Sequence, residues 1–244
     1  MSERPLRVVV SPVMYNERGK TERVLERLQE MLRENPAYAV RIVDDGSTDG
    51  SLATIQASGL PYLSHPQRMG VGVAVRDAIE AACAEGSDVV VIMAGNDKDR
   101  PSEVPRLIAR VQEGYDFVIG SRFLPGGRYD NTPRYRVLAT KFLHPSVVWL
   151  TTGRRLTDTS TGFRAIRTSV FRDPKIRLRQ DWLTEYDCEM YILYQAIVRG
   201  CRISEVPASK IYPPHHLGYT KMKPFSGWWK MLRAFFWLRL GVKS

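Results

Sequence analysis

Short apolar, β-branched runs recur through the first half of this chain, and helical stretches separate them. The runs are Arg7–Val10, Val40–Val43, Asp88–Met93 and Tyr115–Gly120, with a weaker one at Pro61–Ser64. Runs this short and this apolar read as strands buried on both faces, as in a parallel sheet. Between them, Thr21–Glu34 places Val24, Leu25, Leu28, Met31 and Leu32 on one helical face. Ser51–Ala57 and Val71–Ala84 read as further helices, and Pro101 and Ser102 mark the entry to another over Glu103–Glu113. The alternation predicts an α/β fold with helices on both faces of a mostly parallel sheet. In such folds ligands bind beyond the carboxyl ends of the strands. Two acidic loops stand there: Val43-Asp44-Asp45-Gly46-Ser47-Thr48-Asp49-Gly50 and Gly95-Asn96-Asp97-Lys98-Asp99.

The pattern loosens after Ser121. Pro125, Gly126, Gly127 and Pro133 predict a mobile loop over Phe123–Tyr135, followed by a helix over Arg136–Thr152. A strand at Phe163–Arg167, a helix at Glu185–Arg199 and a strand at Arg202–Pro207 complete the reading. The net charge of +10 is unevenly placed: residues 1–120 hold 14 Lys/Arg against 18 Asp/Glu, and residues 121–244 hold 22 against 8. The second half is therefore suited to an anionic partner such as lipid phosphate or a membrane surface, or is simply a solvated basic face. Ser226–Leu240 interleaves Trp228, Trp229, Phe235, Phe236 and Trp237 with Lys230, Arg233 and Arg239. It reads as an amphipathic helix, with Met231, Leu232, Phe235, Phe236 and Leu238 forming a face that lies in a bilayer interface or docks on the protein. We accordingly divide the chain into a domain over 1–223 and an interfacial helix over 224–244. Aromatics that cluster in one terminal helix rather than across a groove speak against nucleic acid. No run of about 18 apolar residues predicts a transmembrane helix. The scattered cysteines Cys83, Cys188 and Cys201 predict free thiols in a reducing cytosol, hence a cytoplasmic, peripheral protein.

Several loop residues have functional chemistry with a plain alternative beside it. Asp97 and Asp99, one residue apart on a turn, suit a hard divalent cation, but also suit the N-terminal turn of a helix. Asp44 or Asp45 suits a base or ribose, whereas Asp49 is better explained as a turn residue. Pro12-Val13-Met14-Tyr15-Asn16-Glu17 follows a strand and offers Tyr15 for stacking. Gly70 and Gly72 allow either close approach of a phosphate or close packing of a helix. Asp187 and Asp158 are candidate general bases, or salt-bridge partners for the abundant arginines.

Taken in order, Tyr15-Asn16-Glu17, Val43 to Asp49, and an acidic turn before Pro101-Ser102-Glu103 resemble family 2 glycosyltransferases. The dolichyl-phosphate mannosyltransferase-like branch is most similar. The resemblance continues through Gly120-Ser121-Arg122, Asp158 to Arg164, Glu205-Val206-Pro207 and Gly218-Tyr219-Thr220-Lys221. It implies a GT-A fold, a UDP- or GDP-sugar donor, a polyprenyl phosphate acceptor, a divalent metal (Mg²⁺ or Mn²⁺) and inversion at the anomeric carbon. It assigns Pro12, Tyr15, Glu17, Asp44, Asp45, Asn96, Asp97 and Lys221 to the nucleotide-sugar, Asp97 to the metal, and Arg122, Arg136 and Thr140 to the acceptor phosphate. The chain departs from the family in three places. Gly95 stands at the first acidic position of the usual Asp-Ala-Asp, Asp99 stands where relatives often have Gln, and His215 replaces an expected Arg. We therefore expect the metal pair to be Asp97 plus Asp99. If the acceptor is a hydroxyl rather than a phosphate, Asp187 is the expected base. Gly95 and His215 also leave open a catalytically inactive, nucleotide-binding membrane scaffold.

Overall fold

The computed structural model describes residues 4–213 and 226–244. In chain order the strands are β1 (Val8–Met14), β2 (Tyr38–Val40), β3 (Ile42–Asp44), β4 (Tyr62–Ser64), β5 (Val89–Ala94), β6 (Phe117–Ser121), β7 (Arg128–Asp130), β8 (Arg164–Arg167), β9 (Ile203–Pro207) and β10 (Ser209–Ile211). The helices are α1 (Thr21–Glu34), α2 (Ser51–Ala57), α3 (Val71–Ala84), α4 (Val104–Gln112), α5 (Arg134–Leu138), α6 (His144–Thr152), α7 (Asp187–Val198) and α8 (Ser226–Arg239). The main sheet runs β4-β3-β1-β5-β8-β6-β9, with β2 also beside β1. All its pairings are parallel except those of β8, which lies antiparallel between β5 and β6.

The apolar runs are buried because the sheet is covered on both sides. Val8, Val10, Val89, Val91 and Val118 pack with α1 and α4 on one face. Val9, Val90, Ile92, Phe117 and Ile119 pack with α3 and α7 on the other. Successive strand residues point to opposite faces, so each run feeds both cores.

Three local features differ from the sequence reading. Glu103 does not begin a regular helix. A 3₁₀ turn spans Pro101–Glu103, and the Glu103 carboxylate accepts from the Ser209 amide and hydroxyl, both at 2.8 Å. The expected loop over Phe123–Tyr135 contains β7, which pairs in parallel with β10 as a small second sheet. The helix expected over Arg136–Thr152 starts at Arg134 and widens into a π segment at Ala139–Leu143, just before Pro145. Proline lacks an amide donor and crowds the carbonyl one turn back, so the wider turn relieves it.

The C-terminal helix is built into the same core as the rest of the domain. Met231, Ala234, Phe235 and Leu238 are buried in the cluster that contains α6 and α7 residues. Arg233 forms a two-pronged ion pair with Asp187 at the start of α7 (2.7 and 2.8 Å). The face anchored by Met231, Phe235 and Leu238, which sequence offered to a bilayer, is thus turned inward; Trp229, Phe236 and Leu240 remain exposed.

Candidate active site

A cavity of about 270 Å³ opens beyond the carboxyl ends of β1 and β5. Its walls come from Tyr15, Glu17 and Lys20 after β1, Asp45 after β3, Asn96 and Lys98 after β5, and Arg136 of α5. Glu185, Tyr186 and Glu189 around the start of α7, with Lys210 and Tyr212, close the other side. A shallower pocket adjoins it between Tyr15, Gly46–Thr48 and His65–Arg68.

The first two loops are latched together. The Ser47 hydroxyl accepts from the Asn16 amide (2.9 Å), Asn16 Oδ1 accepts from the Thr48 amide (2.7 Å), and the Ser51 hydroxyl accepts from the Glu17 amide (3.0 Å). Asp49 accepts from the Arg18 and Ser51 amides, so it is a turn residue. Asp44 and Asp45 are both buried, and their roles divide. Asp44 Oδ2 accepts from Ser47 and Ser64, each at 3.1 Å, while its Oδ1 is buried without a hydrogen bond. Asp45 holds the following loop by accepting from the Met69 and Gly70 amides, and it contacts His65 Nδ1 at 2.8 Å. His65 Nε2 lies 3.0 Å from Asp77. Pro12 is a strand residue opposite Met93. Tyr15 stands at the junction of the two pockets, with the Arg68 guanidinium 5.0 Å from its ring centre.

The glycines opening α3 are explained by packing. A Cβ on Gly72 would lie 2.4 Å from the Glu185 carbonyl oxygen and 2.5 Å from that of Leu183. The helix therefore approaches the Leu183–Glu185 backbone more closely than any side chain permits.

The pair expected to bind metal does not converge. Asp97 adopts a left-handed φ of 63° and turns its carboxylate toward Arg23, Arg27 and Arg100. Asp99 instead accepts from the Ala94 amide (2.9 Å) and from Lys210 Nζ (2.7 Å). A Cβ at Gly95 would lie 2.1 Å from Met14 Cγ, so Met14 occupies the space an acid there would need. The remaining oxygen in this loop, Asn96 Oδ1, is a neutral amide, buried without a hydrogen bond. Among the described residues no group of three His, Cys, Asp or Glu side chains could hold a metal. In a nucleotide site Mg²⁺ or Mn²⁺ is held by one or two carboxylates together with substrate phosphates, and neither Asp97 nor Asp99 lines the cavity where those phosphates would lie. These residues do not fit the Mg²⁺ or Mn²⁺ site expected from Asp97 and Asp99.

Where the loop after β5, β10 and α5 meet the cavity, the charged side chains are Lys98, Lys210 and Arg136. Lys98 is 7% exposed and its ammonium sits 4.1 Å from the Tyr212 ring centre; the Arg136 guanidinium is 5.8 Å from the same ring. Burial, with the nearby charges of Lys210 and Arg136, brings the Lys98 ammonium down to about 7. The sequence reading passed over Lys98 and Lys210. A signal was present at the first, a lysine set inside an acidic loop at a strand end.

Two residues expected at the acceptor are engaged elsewhere. Arg122 is 5% exposed and bonds both carboxylate oxygens of Asp158, at 2.6 and 2.7 Å, and Ser160 Oγ at 2.7 Å. Burial pushes the Asp158 carboxyl up, but the Arg122 guanidinium outweighs it and holds the group below the usual carboxylate range. Thr140 is buried and donates its hydroxyl back to the Arg136 carbonyl (2.7 Å). Neither Asp187, tied to Arg233, nor Asp158 faces the cavity as a base. Four other carboxylates line it, those of Glu17, Asp45, Glu185 and Glu189; that of Glu189 lies against Gly162, with its carboxyl raised chiefly by burial. Lys221, His215 and the Gly218–Lys221 motif lie outside the described residues.

The model of the family described as "Glycosyl transferase family 2" matches residues 10–176. Polyprenol monophosphomannose synthase of Mycolicibacterium smegmatis is 29% identical over 221 residues, covering 88% of this chain and 80% of the relative. Undecaprenyl-phosphate mannosyltransferase of Micrococcus luteus is 31% identical over 224 residues, covering 89% and 88%. Among solved structures, glucosyl-3-phosphoglycerate synthase from Mycobacterium tuberculosis, in complex with Mn²⁺, UDP and glucosyl-3-phosphoglycerate, superposes with a TM-score of 0.69. That match covers 98% of this chain and 81% of the other at 19% identity, and shows that the two share the GT-A fold.

Proposed function

From the premise that this chain belongs to glycosyl transferase family 2 and is a glycosyltransferase, we propose that it moves a sugar from a UDP- or GDP-linked donor to a polyprenyl phosphate. An oxygen of the acceptor phosphate attacks the anomeric carbon. The bond from that carbon to the donor diphosphate breaks, its electron pair leaves with the nucleoside diphosphate, and the configuration inverts. The acceptor phosphate is already ionised, so no general base is needed. Positioning and charge neutralisation supply the catalysis.

The observation that carries this reading is the placement of Arg136. It lines the cavity and also sits in the first turn of a helical run whose outer side is apolar: Leu138, Phe142, Leu143, Trp149 and Leu150 are all exposed. A phosphate on a lipid chain needs this combination, a guanidinium for the head and an apolar surface beside it for the tail. Lys141, Arg154 and Arg155 add positive charge along and just after the run, and Trp229 and Phe236 of α8, with Leu240 just after it, extend the exposed apolar surface. We assign this face to the membrane, with the protein peripheral on its cytosolic side. In flotation with vesicles containing anionic lipid, the triple variant Leu138→Ser, Phe142→Ser and Leu150→Ser is expected to lose about 90% of bound protein while its melting temperature stays near wild type. Retention of wild-type binding counts against the assignment.

A second reading, transfer to a hydroxyl of a glycolipid or small molecule, is favoured by one observation: the raised carboxyl of Glu189 in the cavity wall. Glu189→Gln separates the two. A phosphate acceptor predicts turnover within about threefold of wild type, whereas a hydroxyl acceptor needs the base and predicts a loss of about 10²–10⁴-fold.

A further inference from the structure

The cavity contains a conflict between its fold and its residues. A diphosphate leaving group develops negative charge as the glycosidic bond breaks, and something positive must face it. The acidic loop after β5 turns neither carboxylate to the cavity: Asp97 is paired with Arg23, Arg27 and Arg100, Asp99 with Lys210, and the space at position 95 is occupied by Met14. Turning Asp97 into the cavity would break its ion pairs to all three arginines at once. At the same loop, the side chain between the two aspartates is Lys98, turned into the cavity. Lys210, from β10, reaches the same wall and is fixed by Asp99 at 2.7 Å. Asp99 therefore acts as an anchor for an ammonium.

We infer that this transferase neutralises the donor diphosphate with the ammonium groups of Lys98 and Lys210 in place of a divalent cation. Lysine binds phosphate oxygens as a compact point charge with rotatable donors, which suits a diphosphate entering from the open side of the cavity. The small β7–β10 sheet gains a purpose: Ile211 donates to the Lys98 carbonyl (2.9 Å), so β10 and the loop after β5 hold both lysines in one frame. The inference rests on the proposed nucleoside diphosphate donor and specifies how that donor is held.

The test is calorimetric titration of UDP and of GDP into the wild-type protein, once with chelator and once with Mn²⁺, alongside the electron spin resonance signal of free Mn²⁺ with protein alone. The expected result is a nucleotide Kd that agrees within about twofold in the two conditions, and no Mn²⁺ taken up by the protein. Lys98→Met and Lys210→Met, each checked for an intact melting transition, are expected to weaken nucleotide binding about tenfold or more in chelator. Binding that tightens about tenfold or more with Mn²⁺ overturns the inference and leaves the donor reading standing. Chelator-insensitive binding that neither lysine substitution weakens overturns the assignment to Lys98 and Lys210. If neither nucleotide binds in either condition, the donor reading itself fails. The comparison of chelator with Mn²⁺ uses only the wild-type protein, so the outcome survives if a variant does not fold.

Discussion

Asp158→Ala is expected to destabilise the protein by about 3–5 kcal/mol, because it removes one member of a buried ion pair and leaves the other. Asp158 is fully buried, and Arg122 beside it is 5% exposed. Three hydrogen bonds join them: from the guanidinium at 2.6 and 2.7 Å, and from the Arg122 amide at 3.2 Å. The segment carrying Asp158 is itself held by Glu205, whose carboxylate accepts from the Thr157 and Asp158 amides. Without Asp158 the buried guanidinium loses its ion-pair partner and keeps only its bond to Ser160 Oγ and the more distant charge of Asp99. Chemical denaturation of the single variants and of the double variant Arg122→Met, Asp158→Leu measures the coupling. The double variant is expected to lose less than the sum of the single losses, by more than about 1 kcal/mol. A loss below about 1 kcal/mol for Asp158→Ala would show that the pair does not organise this wall.

Arg136→Ala is the second large effect, and it concerns transfer rather than folding. Arg136 is part-exposed, so its truncation leaves the core intact. Hydrogen bonds to a charged phosphate contribute about 1.5–3 kcal/mol, and a guanidinium engages it through two parallel bonds. kcat/KM for the lipid acceptor is therefore expected to fall about 10–100-fold, while nucleotide affinity changes less than about threefold. Arg136→Lys should recover only part of the loss, since a point charge cannot reproduce the fork. A matching loss of nucleotide affinity would move Arg136 from the acceptor to the donor.

The fold was legible where burial alone decides the residues. Val8–Val10 and Val89–Met93 are apolar because each faces two helix layers, and the heptad-like spacing in Thr21–Glu34 matches one buried face. The β7–β10 sheet escaped because its strands are three residues long and largely polar, so no alternation marks them. The C-terminal helix was ambiguous for a physical reason. It is apolar on two opposite sides, with Met231, Ala234, Phe235 and Leu238 inward and Trp229, Phe236 and Leu240 outward, and composition does not say which side meets the protein.

At the site, sequence located the loops better than the contacts. Tyr15, Glu17, Asp45 and Asn96, from loops at strand ends, line one cavity together with Arg136 of α5. Arg122, Thr140, Asp158 and Asp187 came from the same motifs, yet each is engaged with a neighbour in the fold. Charge type alone cannot distinguish an arginine that meets a phosphate from one that meets a buried aspartate. Likewise, two aspartates one residue apart read as a metal pair until the backbone at Asp97 turns them toward different partners.

The most direct test of the central claim is transfer of radiolabelled sugar from a panel of UDP- and GDP-sugars to undecaprenyl phosphate, counted in the organic phase, with Arg136→Ala run in parallel. Lipid-dependent label is expected from at least one donor, with a loss of about 10–100-fold in the variant. Donor turnover that ignores the lipid and follows added hydroxyl acceptors would contradict it, and no turnover of any donor would point to a nucleotide-binding scaffold instead.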